Sequence, residues 1–294
     1  MTKHKAGFIG IVGKPNVGKS TFSNALIGER LSIISPKAQT TRHRILGLIN
    51  GDDYQLIISD TPGVIKPGYM LQEKMMGFVG EIYGDSDLIV AMVAMDDVDL
   101  PSDVLDKISS KKTPKILIIN KCDLSKPDKI KMTIDTYNAL GIFDHILAIS
   151  ALNGIDRASL IQLLLTYIPE HEPFYPKDQL TDRSERFFVE EMIREGIFHH
   201  FKQEIPYATQ VEVIDFKEDE KIIRIMGTIF AERDSQKGIL IGPKGDGIKR
   251  IGIAARKLCE DFFGKQIFLD LKVSVKKDWR TNEQLLTRFG YKNK

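Results

Sequence analysis

The sequence predicts a mostly parallel, six-stranded α/β domain followed by a smaller α+β domain. Three observations carry that expectation. Six short apolar runs alternate with amphipathic stretches over the first 170 residues, a proline-rich break follows at 169–182, and the pattern beyond it runs in a different order. In the first domain GFIGIVG, ILGLING, YQLIISD, LIVAMVAM, KILIIN and HILAIS read as strands, most with helical patterns between them. Asn50-Gly51-Asp52-Asp53, between the second and third runs, is a hairpin signal, so one antiparallel pair belongs in an otherwise parallel sheet with helices on both faces.

The break, PEHEPFYPKDQLTD, holds three prolines among mixed charges, which sets the expected organisation at residues 1–172, a linker at 173–183 and a second domain at 184–294. That second domain reads as a helix over 184–203, the strands TQVEVIDF and KIIRIMGTIFAER, a glycine-loop helix over 244–263 and a last strand QIFLDLKVSV. The chain shows no internal repeat and no low-complexity segment.

With 42% hydrophobic and 28% charged residues in 294, the composition is that of a folded globular protein. The longest apolar runs fall short of the roughly 20 residues of a spanning helix, and the amino terminus lacks a signal-peptide shape, so a cytoplasmic protein is expected. Cys122 and Cys259 are too few for a disulfide framework or a cysteine metal site, and the histidines lack metal-ligand spacing. The net charge of +2 hides an asymmetry: residues 237–294 carry 14 Lys+Arg against 6 Asp+Glu, while 173–236 lean acidic. A basic run is usually a solvated face, but this one surrounds a glycine loop and points to a polyanionic partner.

The most informative stretch is GKPNVGKST, Gly13, Lys14, Pro15, Asn16, Val17, Gly18, Lys19, Ser20 and Thr21, which fits G-x-x-x-x-G-K-[ST] directly after a strand and before a helical pattern. Glycines at its ends let backbone N–H groups wrap a phosphate chain, Lys19 supplies a point charge to the outer phosphates, and Ser20 offers a hydroxyl to Mg²⁺. Asp60-Thr61-Pro62-Gly63 ends the third strand, where the carboxylate can hold magnesium through water and the Gly63 N–H can reach a terminal phosphate; Val64 follows. Asn120-Lys121-Cys122-Asp123 ends KILIIN and brings a carboxylate to the same rim of the sheet. Asp123 accepts hydrogen bonds only, so it suits the N1–H and 2-amino donors of guanine and has no comparable pair on adenine. Ser150 and Ala151, after HILAIS, complete that rim with a further backbone contact to the base. Together these expect GTP and GDP as ligands, with Mg²⁺.

The chain resembles the translation-factor-related GTPases and, within them, the Era family, in which a GTPase domain is joined to a carboxyl-terminal KH domain of type II. The resemblance runs over nearly the whole length and rests on GKPNVGKST, KAQTTRHR, DTPG, NKCD, ISA, ERDSQKGILIG and VKKDWR. It implies GTP hydrolysis, a switch that reports nucleotide state, binding to single-stranded RNA at the 3′ end of the small-subunit ribosomal RNA, and a role in small-subunit assembly, with no DNA partner and a monomeric state. It further implies that Thr41 of SPKAQTTRHR closes over Mg²⁺ beside Ser20 and Asp60, with Thr40 as the alternative.

Where many GTPases place a water-orienting glutamine this chain has Val64, which cannot hydrogen-bond water. The resemblance points instead to K⁺ held partly by Asn16, adding positive charge between the β- and γ-phosphates; a plain turn residue is the alternative for Asn16.

A second loop, Gly242-Pro243-Lys244-Gly245, lacks the spacing and companions of the first and is not another nucleotide site. A GxxG between two helices beside a sheet is the KH device for clamping about four nucleotides of single-stranded RNA. Lys244, Lys249, Arg250, Arg256 and Lys257 supply charge nearby, and Ile239, Leu240, Ile241, Ile248 and Ile251 are candidates for an apolar floor, some of them core. Pro243 removes one N–H donor from the loop, leaving phosphate contact to Lys244 and Gly245. Trp279 is expected in the core rather than on a base, and Met70, Met75 and Met76 are expected to pack a helix. Two other readings stay open: constitutive RNA binding with a structural nucleotide, and a peripheral membrane GTPase whose basic tail meets anionic lipid at the inner face of the cell membrane.

Overall fold

The computed structural model describes residues 4–35 and 37–292, and the chain divides into two compact units. The first comprises the chain through Ser32, Thr41–Pro67 and Met75–Asp182; the second comprises Ile33–Thr40, Gly68–Lys74 and the chain from Arg183 onward.

The first unit holds strands β1 (Lys5–Gly13), β2 (Ile45–Asn50), β3 (Tyr54–Asp60), β4 (Leu88–Ala94), β5 (Lys115–Asn120) and β6 (His145–Ala148), in the order β2-β3-β1-β4-β5-β6. β2 and β3 are the antiparallel pair across the Asn50-Gly51 turn, and every other neighbour is parallel. Between them run α1 (Lys19–Ile27), α2 (Met70–Asp85, in this unit from Met75), α3 (Ser102–Ser109), α4 (Pro127–Asn138) and α5 (Arg157–Tyr167). The unbroken apolar runs follow from burial on both faces. Ile89, Ala91 and Val93 of β4 share a cluster with Val79 and Ile82 of α2 and Val104 of α3, while the intervening Leu88, Val90 and Met92 are equally buried on the other side. Met75 is buried on α2 and Met76 packs into the same cluster, as expected of helix-packing methionines.

The proline-rich stretch lies along the edge of β2. Leu48 N–H donates to the Leu180 carbonyl at 2.8 Å, Leu46 N–H to Asp182 Oδ1 at 3.1 Å, and the Thr181 hydroxyl to the Leu46 carbonyl at 2.7 Å. Backbone groups that an open sheet edge would leave unpaired are satisfied in this way.

The second unit contains α6 (Glu185–His200), β7 (Thr209–Glu218), β8 (Ile222–Ala231), α7 (Asp234–Ile241), α8 (Asp246–Phe263), β9 (Gln266–Val275) and a short α9 (Glu283–Arg288). β7 pairs antiparallel and β9 parallel with the central β8. Val189, Ile193 and Ile197 of α6 and Ile251, Ala255 and Cys259 of α8 cover one face of this sheet. A Cβ at Gly196 of α6 would stand 3.2 Å from the Ile251 carbonyl of α8, so the missing side chain allows the two helices their close approach. Trp279 is fully buried with its Nε1–H on the Ala208 carbonyl at 3.1 Å, so it belongs to the core. The segment Asp234–Ile241, just ahead of the glycine loop, is the helix that the element-by-element reading omitted.

Candidate functional site

The parallel register opens the ends of β1, β5 and β6 on one rim: Gly13 stands beside Met92, Ala94 beside Asn120, and Ile119 beside Ala148. Loops more than 100 residues apart in sequence thereby meet. Asn120 ties them, donating through Nδ2 to the Val17 carbonyl at 2.8 Å and accepting the Ala151 N–H on Oδ1 at 2.9 Å. Gly18 has a φ of 99°, and a Cβ there would stand 2.2 Å from Asn120 Nδ2, so this position of the loop admits only glycine. Asp123 is exposed, and Ser150 Oγ accepts the Asn153 N–H at 3.3 Å.

Lys19 is buried at the first turn of α1, its ammonium donating to the carbonyls of Gly13 at 3.0 Å and Lys14 at 2.8 Å. Burial pulls it down to about 8, against the attraction of Asp60. Asp60 is 1% exposed and neither carboxylate oxygen has a hydrogen-bond partner. Burial pushes its carboxyl above the usual range, while the nearby Ser32 hydroxyl, the Lys19 ammonium and the Ser20 hydroxyl hold it down. A buried, unpaired carboxylate is costly unless a cation completes it. Ser20 Oγ and Thr41 Oγ1 lie 2.9 Å apart, which adds two hydroxyls to that carboxylate, an all-oxygen donor set that fits magnesium. Thr40 is turned elsewhere, its hydroxyl donating to the Lys37 carbonyl at 2.7 Å.

The segment after Asp60 lies directly on the phosphate loop. A Cβ on Gly63 would fall 2.6 Å from Pro15 Cα, and the Val64 N–H donates to the Gly13 carbonyl at 3.0 Å. The Thr61 hydroxyl is taken by the Ile11 carbonyl at 2.7 Å, Pro62 is buried, and the Val64 side chain packs against the cluster under β4. Asn16 is exposed with a φ of 64°, a conformation asparagine tolerates, and Thr21 is half-buried in α1. Lys14 pairs with Asp97 at 2.6 Å and Lys121 with Asp96 at 2.8 Å, a role for adjacent aspartates that carries no motif. Asn24 was also missed: it accepts the N–H groups of Leu31 and Ser32 at 3.0 Å each and donates to the Ser32 carbonyl at 2.9 Å. Its placement one turn after Ser20 on α1 was the available signal.

In the second unit the glycine loop joins α7 to α8, with φ values of 70° at Gly242, 51° at Lys244 and 81° at Gly245. Pro243, Lys244, Lys249 and Arg250 are exposed, and Arg250 pairs with Asp246 at 3.1 Å. Alongside runs a groove of about 350 Å³ lined by Ile248, Lys249, Ile253, Arg256 and, from β9, Phe268 and Leu271. Ile251 and Leu240 are core, whereas Ile253 and Phe268 are 54% and 53% exposed. Phe268 breaks the apolar-in, polar-out alternation of QIFLDLKVSV, and that break was the signal for it.

Residues 8–121 match the family described as 50S ribosome-binding GTPase, and residues 204–280 match the KH domain family. GTPase Era of Staphylococcus haemolyticus (strain JCSC1435) is 42% identical over 294 residues, spanning 99% of this chain and 98% of its own. The chain belongs to the Era family. Two solved Era structures, each 35% identical, cover 98% of this chain and 99% of their own: one in complex with MgGDPNP and nucleotides 1506–1542 of 16S ribosomal RNA, at a TM-score of 0.92, and an Aquifex aeolicus Era variant bound to GDP and AlF4⁻, at 0.93. In this member of the Era family the six-stranded sheet is the GTPase domain and the three-stranded α+β unit the KH domain.

Proposed function

We propose that this Era-family GTPase is a GTP-driven switch whose KH domain binds the single-stranded 3′ segment of small-subunit ribosomal RNA and acts in assembly of the small ribosomal subunit. The observation that carries the nucleotide half is the unpaired, buried Asp60 next to Lys19, with the Ser20 and Thr41 hydroxyls 2.9 Å apart at the same loop. Ser20, Thr41 and Asp60 would hold magnesium, which when bound offsets the charge of the β- and γ-phosphate oxygens. Lys19 keeps the loop closed through two carbonyls and presents its charge to the outer phosphates. Asp123, exposed beyond β5, accepts from guanine, and Asn120 holds the base-side and phosphate-side loops together. Thr41 engages only when a third phosphate is present, which makes the Thr41 and Asp60 segments the moving parts.

Val64 offers no side chain to water, and its N–H is already committed to Gly13. In this reading Asn16, exposed and left-handed, shares a potassium ion, which would add positive charge at the phosphates. Support for the RNA half comes from the glycine loop, the exposed Lys244, Lys249 and Arg250, and the apolar groove beside them. A domain division at 1–172, 173–183 and 184–294, a monomeric state and a cytoplasmic location belong to the same reading, with the basic 237–294 segment able to meet the inner face of the cell membrane peripherally. No helix among the described residues is long and apolar enough to cross a membrane.

The test measures binding of a 3′-end small-subunit RNA oligonucleotide by fluorescence anisotropy with a GTP analogue and with GDP, alongside GTP hydrolysis. Tighter RNA binding in the triphosphate state supports the switch. Equal affinity in both states means constitutive RNA binding, and effective competition by anionic vesicles means a membrane surface.

A further inference from the structure

On the face of α1 that carries Ser20, the next turn presents Asn24, four residues on. Asn24 is 8% exposed, and its side chain turns away from its own helix toward the chain that follows it. The left-handed Gly28 ends α1 with its N–H on the Asn24 carbonyl at 2.8 Å. Beyond that turn Asn24 Oδ1 accepts the N–H groups of Leu31 and Ser32 at 3.0 Å each, and Nδ2 donates to the Ser32 carbonyl at 2.9 Å. Three of the four hydrogen bonds a carboxamide can make thus go to one dipeptide. Closing α1 needs only the Gly28 turn; the buried carboxamide does something further, which is to place Ser32.

The dipeptide lies over the strand pair that ends in Asp60. A Cβ on Gly47 of β2 would stand 2.1 Å from Ile27 Cδ1 and 3.2 Å from Leu31 Cδ1, so α1 and Leu31 cover the Gly47 face of the pair. Gly47 stands opposite Ile58, and Ile45 opposite Asp60. Residues directly opposite share a face, as do residues two apart on one strand, so the Asp60 side chain is on this covered face, one step along from Leu31. Ser32 is 3% exposed, and its hydroxyl is a close neighbour of the Asp60 carboxyl. Burial pushes that carboxyl up, and Ser32 opposes the push more than Lys19 or Ser20 does. Neither Asp60 oxygen has a hydrogen-bond partner, so the serine lies alongside the carboxylate without saturating it. Ser20, Asn24, Ser32 and Asp60 all belong to the first compact unit.

We infer that Asn24 and Ser32 are positioning residues for the metal site of the GTPase domain: Asn24 clamps the Leu31–Ser32 backbone, and the Ser32 hydroxyl so placed holds the Asp60 carboxylate in the orientation that suits magnesium. The inference rests on the reading of Asp60 as a carboxylate that holds magnesium. Ligating groups depend on outer partners of this kind, whose loss costs about 10–100-fold in metal affinity or activity. The side-chain hydrogen bonds of Asn24 among the described residues go only to Leu31 and Ser32, and none to the Gly13–Gly18 loop. Nucleotide binding without metal is therefore indifferent to the clamp.

The test uses the full-length protein and the variants Ser32→Ala, Ser32→Thr, Asn24→Ala, Asn24→Asp and Asp60→Asn. Mn²⁺ affinity of the GDP complex is measured by electron paramagnetic resonance, GDP affinity in EDTA by fluorescent nucleotide, and folding by thermal melting. Ser32→Ala is expected to weaken Mn²⁺ binding by about tenfold while metal-free GDP affinity stays within about twofold of wild type. Ser32→Thr keeps the hydroxyl and recovers most of the metal affinity, and Asn24→Ala repeats the Ser32→Ala pattern. Wild-type Mn²⁺ affinity in Ser32→Ala, with Asp60→Asn impaired, overturns the role of Ser32, and the same result in Asn24→Ala overturns that of Asn24. If Asn24→Ala does not fold, Asn24→Asp, which loses the tie to the Ser32 carbonyl, decides in the same way. A matching loss of metal-free GDP affinity in Ser32→Ala makes the serine a support of the nucleotide loop and also overturns the inference. Wild-type Mn²⁺ affinity in Asp60→Asn instead removes the reading on which the inference stands.

Discussion

Asn120 and Val17, 103 positions apart, are joined by a 2.8 Å hydrogen bond from the asparagine side chain to the valine carbonyl. The same side chain accepts the Ala151 N–H, so one residue locks the glycine loop after β1 to the loop after β6. Replacing Asn120 by Ala leaves a buried carbonyl and a buried N–H unpaired, each costing about 1–3 kcal/mol. The expected outcome is a lower thermal midpoint without nucleotide and a GTP and GDP affinity reduced by the same factor, read by calorimetry. A loss confined to GTP would contradict this role.

Gly63 lies so close to Pro15 that a Cβ would have to displace backbone at 2.6 Å. Gly63→Ala therefore moves the segment after Asp60 away from the phosphate loop. On the proposed role of the Gly63 N–H at the terminal phosphate, hydrolysis is expected to fall by at least about tenfold with GDP affinity nearly unchanged. Single-turnover hydrolysis and GDP titration separate the two.

The proposed potassium site at Asn16, where Val64 offers no side chain to water, has a direct test. Hydrolysis in K⁺ should exceed that in Na⁺ at matched ionic strength, and Asn16→Ala should remove the difference while leaving the Na⁺ rate near wild type. Equal wild-type rates in the two salts would make Asn16 only a turn residue, as its left-handed φ of 64° by itself permits.

In the KH domain charge and stacking can be told apart. Lys244→Ala should weaken RNA binding and reduce the slope of log affinity against log salt by about 0.7, the value for one phosphate contact on a single strand. Phe268→Ala, from the apolar side of the groove, should cost about 1–3 kcal/mol at every salt concentration with the slope unchanged. Anisotropy titrations at several KCl concentrations check both, and an unchanged affinity in Phe268→Ala would remove that ring from the interface.

Glu190 on α6 gives a pH signature. Burial pushes its carboxyl up to about 7, with Glu191 and Glu212 adding to the shift, and the Val213 N–H and Arg186 opposing it. The unfolded chain ionises near 4.5, so between about 4.5 and 7 the folded state holds a proton that the unfolded state has lost, and stability falls as pH rises through that window. Glu190→Gln keeps an acceptor for Val213 and removes the titration. Its thermal midpoint should match wild type at pH 4.5 and exceed it at pH 8 by an amount equivalent to roughly 3 kcal/mol. A pH-independent difference would count against this account.

The loops gathered on the rim were legible in the chain because each is a contiguous stretch, although the stretches lie far apart in sequence. Gly13 to Ser20 runs directly from the end of β1 into α1, and Asp60 and Asn120 sit at the ends of apolar runs whose pairing puts those ends on one rim. The helix Asp234–Ile241 was not read because it is only eight residues long and its apolar positions merge with the glycine loop. Arg194 and Lys37 bear on backbone carbonyls, and an acceptor common to every residue leaves no pattern in the sequence.

By itself the sequence determined a GTPase part and a KH part, because periodic burial and glycine-loop motifs are written in neighbouring residues. Only the tertiary structure decided which threonine faces Ser20. The reason is geometric: Thr40 and Thr41 are equivalent as residue types, and only the fold turns the Thr41 hydroxyl to Ser20 while the Thr40 hydroxyl donates to the Lys37 carbonyl.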